Sequence, residues 1–203
     1  VQTDAELLAA WREGDRSAGR TLFARHFDSV RRFFANKVDS GVEDLVQRTF
    51  LACVEARDRF REEASFRTFL FGIAHNILYK HIRERVRGRK AVELDATSIV
   101  DLGASPVSRM AIEGEGLLLL HSLRRIPLAS QVILELYFWE QLTGRELGVF
   151  LAVPEDTARA RLRRAKRELE RALQSLEASP ERLASTLSDL EGWAAKVRAE
   201  LGR

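Results

Sequence analysis

Apolar residues recur every three or four positions along most of this chain, the period of a helix with one buried face. Thr3-Asp4-Ala5-Glu6 has the spacing of a capping box and predicts a short helix with Leu7, Leu8 and Trp11 on its apolar side. Gly14-Asp15 ends it. A longer helix is predicted over 17–38, with Leu22, Phe23, Phe27, Val30, Phe33 and Phe34 as its core stripe. Ser40-Gly41 interrupts the chain. Val42, Leu45, Val46, Thr49, Phe50, Cys53 and Phe60 then share a face, and after a polar break at 61–65 so do Phe66, Phe69, Leu70, Ile73, Ala74 and Ile77. The first 87 residues therefore predict a compact four-helix bundle.

From about Gly88 the period fails, and Gly, Ser, Asp and Pro106 are scattered through 88–112. This stretch predicts a flexible linker, long enough to let two domains sit well apart. Order resumes in 113–176. Leu117 to Leu120 open an apolar helix that ends before Pro127, and Val132, Ile133, Leu136 and Tyr137 form the next stripe, with Trp139 near its end. Leu142, Leu147, Phe150 and Leu151 lead to a turn at Ala152-Val153-Pro154. A new helix starts at Glu155 or Asp156 and turns Ala158, Leu162, Ala165 and Leu169 inward. Helix, tight turn and Arg-rich helix make a helix-turn-helix pattern. The last segment, 177–203, opens on Ser179-Pro180, a cap followed by proline at the first helical position. Leu183, Leu187, Leu190, Ala194, Val197 and Leu201 then give it a heptad-like seam. That helix either packs back on its own chain or docks on another protein. The fold class is all-α: two helical domains, a linker, and an extra C-terminal helix.

Composition narrows the function. The 203 residues hold one large or two small domains. A single cysteine excludes an internal disulfide and a multi-cysteine zinc site. No apolar run reaches the ~20 residues of a membrane span, and no signal peptide opens the sequence, so a cytoplasmic setting is expected. The four histidines, His26, His75, His81 and His121, are dispersed. His26 reads as a core or boundary residue, since no second ligand lies at a useful spacing. No Gly-rich phosphate loop, HExxH or GxSxG is present, so neither an enzyme nor a cofactor is expected. The net charge of +3 says little about nucleic acid. Its distribution says more, because basic residues crowd into 80–90 and 159–171 as two patches. They are either two nucleic-acid footprints or solvated helix ends where the macrodipole favours cations.

The residues that decide between these lie in 43–90. DLVQ-x-TFL followed by RF-x(5)-FRTFLF-x-IA-x-N resembles the core of an extracytoplasmic-function (ECF) sigma factor of the sigma-70 family, and the helix-turn-helix fits that family's second domain. The resemblance covers roughly 3–90 and 113–176. It implies a protein that binds bacterial core RNA polymerase and directs it to promoter DNA. Glu43, Asp44, Gln47 and Arg48 would contact the β′ coiled coil, with Arg48 standing where an acid is common. Arg61, Ser65, Phe66, Asn76, Lys80, Arg83 and Arg87 would hold the melted −10 strand, with Phe69 in place of the usual tryptophan. A flipped base there needs stacking and a polar edge contact. Thr157, Arg159, Ala160, Arg163, Arg164 and Arg167 would read the −35 element, since arginine bonds guanine bidentately or clamps phosphate. Ala152 and Asp156 stand where the family usually has glycine. Thr49 is a candidate phosphosite for a Ser/Thr kinase, because phosphate would restore negative charge beside Arg48; otherwise it only buries its methyl group. Control by an anti-sigma factor, by a kinase or by the C-terminal helix is left open. Two other functions compete: a helix-turn-helix regulator that never touches the polymerase core, and a helical adaptor that binds only proteins.

Overall fold

A computed structural model of the chain describes residues 2–60, 64–86, 93–103, 115–176 and Gly192. The described residues form eight α-helices: α1 (Asp4–Arg12), α2 (Arg16–Ala35), α3 (Val42–Ala56), α4 (Phe66–Arg85), α5 (Glu115–Leu123), α6 (Leu128–Phe138), α7 (Gly144–Leu151) and α8 (Glu155–Leu176). Short 3₁₀ turns lie at Arg57–Arg59 and Leu94–Ala96. Local chemistry sets the starts. The Thr3 hydroxyl accepts from the Glu6 N–H at 3.3 Å while the Thr3 N–H donates to the Glu6 carboxylate at 2.7 Å, closing the expected capping box. Asp15 caps α2 by accepting from Ser17 and Ala18. Ser65 caps α4 by accepting from the Thr68 N–H, and a second capping box, Thr143 with Glu146, opens α7.

In the N-terminal half α1 packs on α2, and α2 and α3 pack on α4; in the C-terminal half α8 packs across α5, α6 and α7. Leu22, Val30, Phe34, Leu45, Leu70, Phe71 and Leu78 are the deeply buried residues of the first half, and Leu120, Leu128, Leu136, Leu147, Ala165 and Leu173 those of the second.

The stripe expected on α2 is displaced. Leu22, His26, Val30, Phe33 and Phe34 face inward, while Phe27 is 46% exposed and only flanks the core, stacked on Phe50. His26 is buried, with its Nε2 2.6 Å from Asp4 Oδ2. Burial raises the Asp4 carboxyl, but His26 and Arg25 outweigh that and hold it below the ordinary range. The inward set of α4 also differs. Phe71, Leu78 and Ile82 are buried alongside Leu70 and Ala74, and Phe69, Ile73 and Ile77 are half-buried. The reason is that α4 is covered twice, by α2 and α3 on one side and by α7 on another.

The larger correction concerns the linker. The two halves do not sit well apart: α4 lies directly against α7. Residues 93–103 are packed along that junction. Leu94 and Ile99 are buried, the Leu128 N–H donates to Thr97 O at 3.0 Å, and the Val100 N–H donates to Arg124 O at 3.2 Å. Two buried apolar side chains and two backbone bonds fix this stretch without any helical period. The remaining linker residues, 88–92 and 104–112, lie outside the described residues. So does the expected helix over 177–203, apart from Gly192.

Candidate nucleic-acid interface

The helix-turn-helix is built by α7 and α8. Ala158, Leu162, Ala165, Leu169 and Leu173 bury one stripe of α8. That stripe turns the opposite face outward, and Thr157, Arg159, Ala160, Arg163, Arg164 and Arg167 are all exposed on it. The arginines are not equivalent. Arg159 donates to Glu155 Oε1 at 2.6 and 2.9 Å, and Arg164 donates to Glu168 Oε1 at 2.8 Å. Glu168 is itself anchored by the Ser130 hydroxyl at 2.5 Å. Arg163 and Arg167 form no ion pair among the described residues and stand free for a phosphate or a base edge. The turn between the helices is tight. Ala152 adopts the left-handed conformation at φ 51°, ψ 44°, and the Val153 N–H donates to Gly148 O at 3.0 Å.

The second basic face lies on α4. Asn76, Lys80 and Arg83 are exposed, and their spacing of four and three places them on a single stripe. Ser65 sits at the helix start, half-buried. Phe66 does not join this face. It is 4% exposed and packs against His26 and Phe69 in the core, so the −10 contact expected of it is unsupported in this fold. Phe69, in the family's tryptophan position, is half-buried against Phe60 with ring centroids 4.5 Å apart. Arg61 and Arg87 lie outside the described residues.

A third face belongs to α3. Glu43, Asp44, Gln47 and Arg48 are all exposed. Arg48 bonds Asp44 at 2.9 Å, one turn away, so the atypical cation neutralises one of the two acids. Beyond them the face turns apolar, with Leu51 and Val54 exposed. Thr49 does not share it. Its side chain has no exposed surface and its hydroxyl donates to Leu45 O at 2.8 Å. A kinase has no access to a hydroxyl placed there, so of the two readings of Thr49 the buried one describes this structure. Cys53, one turn further, is buried too, and desolvation pushes its thiol up to about 12, which leaves it unreactive.

One group of residues has no counterpart in the sequence reading. Lys37 and Glu135 are an ion pair between the two halves, 1% and 2% exposed. Burial lowers the Lys37 ammonium and raises the Glu135 carboxyl from their ordinary values, and each charge is the main counterweight to the other's desolvation. Arg32 with Glu140 and Arg124 with Asp39 add pairs at 3.4 and 3.6 Å. A signal for them exists. Lys37 falls on the Val30–Phe33–Phe34 stripe, and Glu135 falls between Leu134 and Leu136 on a helix buried nearly all round. A charge at an inward position needs a partner.

Comparison with known proteins follows the same outline. The sequence model of sigma-70 region 2 matches residues 22–88, the stretch that holds α3 and α4. The ECF RNA polymerase sigma-E factor of Escherichia coli strain K12 is 26% identical over 183 residues, covering 86% of this chain and 96% of the relative. The RNA polymerase sigma factor CarQ of Myxococcus xanthus is 29% identical over 175 residues, covering 84% and 97%. Among solved structures, CnrH in complex with the cytosolic domain of CnrY matches with a TM-score of 0.60 at 24% identity, over 85% of this chain and 97% of that one. The sigma factor RpoE of Bartonella quintana, in complex with the anti-sigma factor NepR, matches with a TM-score of 0.59 at 18% identity, over 76% and 96%. With its two halves, its helix-turn-helix and relatives aligned along nearly their whole lengths, the chain is similar to the ECF sigma factors of the sigma-70 family, and its residues 22–88 match that family's region 2.

Proposed function

We propose that the chain loads onto core RNA polymerase through α3 and directs it to promoters that α8 reads as duplex and α4 holds as a melted strand. The observation that carries this reading is the division of α3. Leu45, Val46, Thr49 and Cys53 secure the fold, while Glu43, Asp44, Gln47, Arg48, Leu51 and Val54 on the other faces are exposed. An exposed strip of two acids continuing into Leu51 and Val54 suits a partner that offers cations beside apolar surface. The β′ coiled coil of the polymerase is such a partner.

Arg163 and Arg167 are cations on the outward face of the duplex-reading helix, unpaired among the described residues, and Thr157 at its start suits a phosphate contact. Asn76, Lys80 and Arg83 supply the polar edge contact and the phosphate track for single-stranded DNA. Arg61, Arg87 and Ser65 complete that path, with Phe69 rather than Phe66 as the aromatic nearest the surface. The protein performs no chemistry of its own and works in the cytoplasm, where polymerase and promoter are. An anti-sigma factor of the kind bound to the RpoE relative is a fitting regulator. A kinase acting on Thr49 is not, because that hydroxyl is enclosed. The test is a pull-down and fluorescence titration with purified core polymerase. Wild type should bind, and Leu51→Asp should lose binding at unchanged helicity. Equal binding by the two proteins would move the contact away from α3.

A further inference from the structure

The junction between the two halves is charged where a permanent interface would be apolar. At its centre Lys37 Nζ donates to the Glu135 carboxylate and to Phe33 O at 2.7 Å, and lies 4.2 Å from the centre of the Phe33 ring. Glu135 Oε1 accepts from Gln131 Nε2 at 2.9 Å and from Asn36 Nδ2 at 3.3 Å. Arg32 reaches Glu140 at 3.4 Å, and Arg124 reaches Asp39 at 3.6 Å. At the rim, the Ser65 hydroxyl donates to Glu146 Oε1 at 2.8 Å, Arg67 lies 4.0 Å from the same oxygen, and His75 packs edge-on against Phe150 at 5.3 Å.

Two physical facts make this a junction built to part. A buried ion pair gains little over its hydrated parts, because desolvation offsets most of the attraction, whereas apolar side chains of similar volume would hold as well or better. The cluster is also incompletely satisfied: Arg32 Nε, Asn36 Oδ1 and Gln131 Oε1 are buried without a hydrogen-bond partner among the described residues. Buried polar atoms of a permanent interface are nearly always paired. Separation of the halves would hydrate all of these groups at once.

We infer that Lys37–Glu135 and its neighbours form an ionic latch that holds the free protein closed. In the closed form the front of α4 is occupied by the protein's own Glu146, which takes the Ser65 hydroxyl and faces the Arg67 charge. The arginine face of α8 stays exposed throughout. The closed protein therefore keeps the α8 arginines and the Asn76–Lys80–Arg83 stripe exposed and withholds Ser65 and Arg67 at the front of α4, and opening is the step that polymerase must drive. The inhibitory part rests on the reading of α3 and α4 given above; the latch itself does not.

The test uses the full chain. Small-angle scattering of wild type should give a compact particle, with a radius of gyration of about 17 Å expected for a globule of this length. Glu135→Lys sets like charges against each other and should expand the particle with helicity retained. Adding Lys37→Glu restores opposite charges and should return the wild-type radius. The apolar pair Lys37→Met with Glu135→Leu should stay compact. If the open form is a minor state of about 1–10%, titration with core polymerase should show Glu135→Lys binding roughly 10- to 100-fold tighter than wild type, and the apolar pair binding more weakly. An unchanged radius in Glu135→Lys, or a charge-swapped double variant that remains expanded, overturns the latch. Expansion with unchanged polymerase affinity overturns its inhibitory role. If the radii change as expected but no variant binds polymerase, the polymerase reading fails and the latch stands.

Discussion

The turn between α7 and α8 fixes the angle at which α8 is presented, and substitutions at two residues beside it should act in opposite directions. Ala152 is in the left-handed region at φ 51°, where the Cβ of an L-residue crowds the following carbonyl at a cost of about 1–2 kcal/mol. Ala152→Gly removes that strain but loosens the unfolded chain, which costs about 0.4–1 kcal/mol. The net expectation is a gain of roughly 0.5–1 kcal/mol. Gly148, one turn earlier, is the reverse case. A Cβ there would meet Val153 O at 3.0 Å and the Glu155 backbone at 3.4 Å. These are backbone atoms of the turn and cannot swing aside. Gly148→Ala gains about 1 kcal/mol of helix propensity but forces the turn open, at an overpacking cost of about 1–3 kcal/mol. The expected net is a loss of up to about 2 kcal/mol. Urea unfolding followed by far-UV circular dichroism reads both as shifts in midpoint at constant slope. A lower midpoint for Ala152→Gly would refute the strain argument, and a higher one for Gly148→Ala would refute the close approach.

Arg163→Ala should weaken binding to duplex DNA and lower the slope of log affinity against log salt by about 0.9, as loss of one phosphate contact requires; an unchanged slope would take Arg163 off the backbone. Thr49→Glu should unfold the N-terminal half rather than activate it, because a carboxylate forced into this enclosed site costs at least ~3 kcal/mol; a thermal melt equal to wild type would contradict the burial of Thr49. Burial raises the Glu146 carboxyl, but bonds from the Thr143 N–H, the Ser65 hydroxyl and the Thr143 hydroxyl, with the Arg67 charge, hold it below its ordinary 4.5. Its contribution should therefore be complete above that value and fade as pH falls through the lower folded value. Glu146→Gln should flatten this part of the acid-unfolding curve, and a loss that begins above 4.5 would assign the effect to another group.

Most of the chain's helices were legible in its sequence because their apolar stripes are long and their caps are chemically distinct. The Thr3 box and the inward set of α8 are examples. On α8 the apolar positions have one neighbouring surface to face, so periodicity and burial agree. They part company on α4, which is covered from two sides and so carries buried residues nearly all round. Phe27 shows the opposite failure: periodicity marks it as core, but the α2 stripe is taken by His26, whose partner Asp4 comes from α1. The packed part of the linker was illegible for a related reason. Leu94 and Ile99 are fixed by tertiary contacts, and two isolated apolar residues carry no period. The face assignments of Asn76, Lys80, Arg83 and the α8 arginines follow from spacing alone. The Lys37–Glu135 pair joins residues nearly a hundred positions apart and needed the fold to bring it together.

The account depends most directly on whether this chain binds core RNA polymerase, and one titration addresses it. Labelled full-length protein, wild type and Glu135→Lys, would be titrated with purified bacterial core enzyme and followed by fluorescence anisotropy. The account predicts saturable binding by both, tighter for Glu135→Lys. Absence of binding by both, with helicity intact, would contradict it.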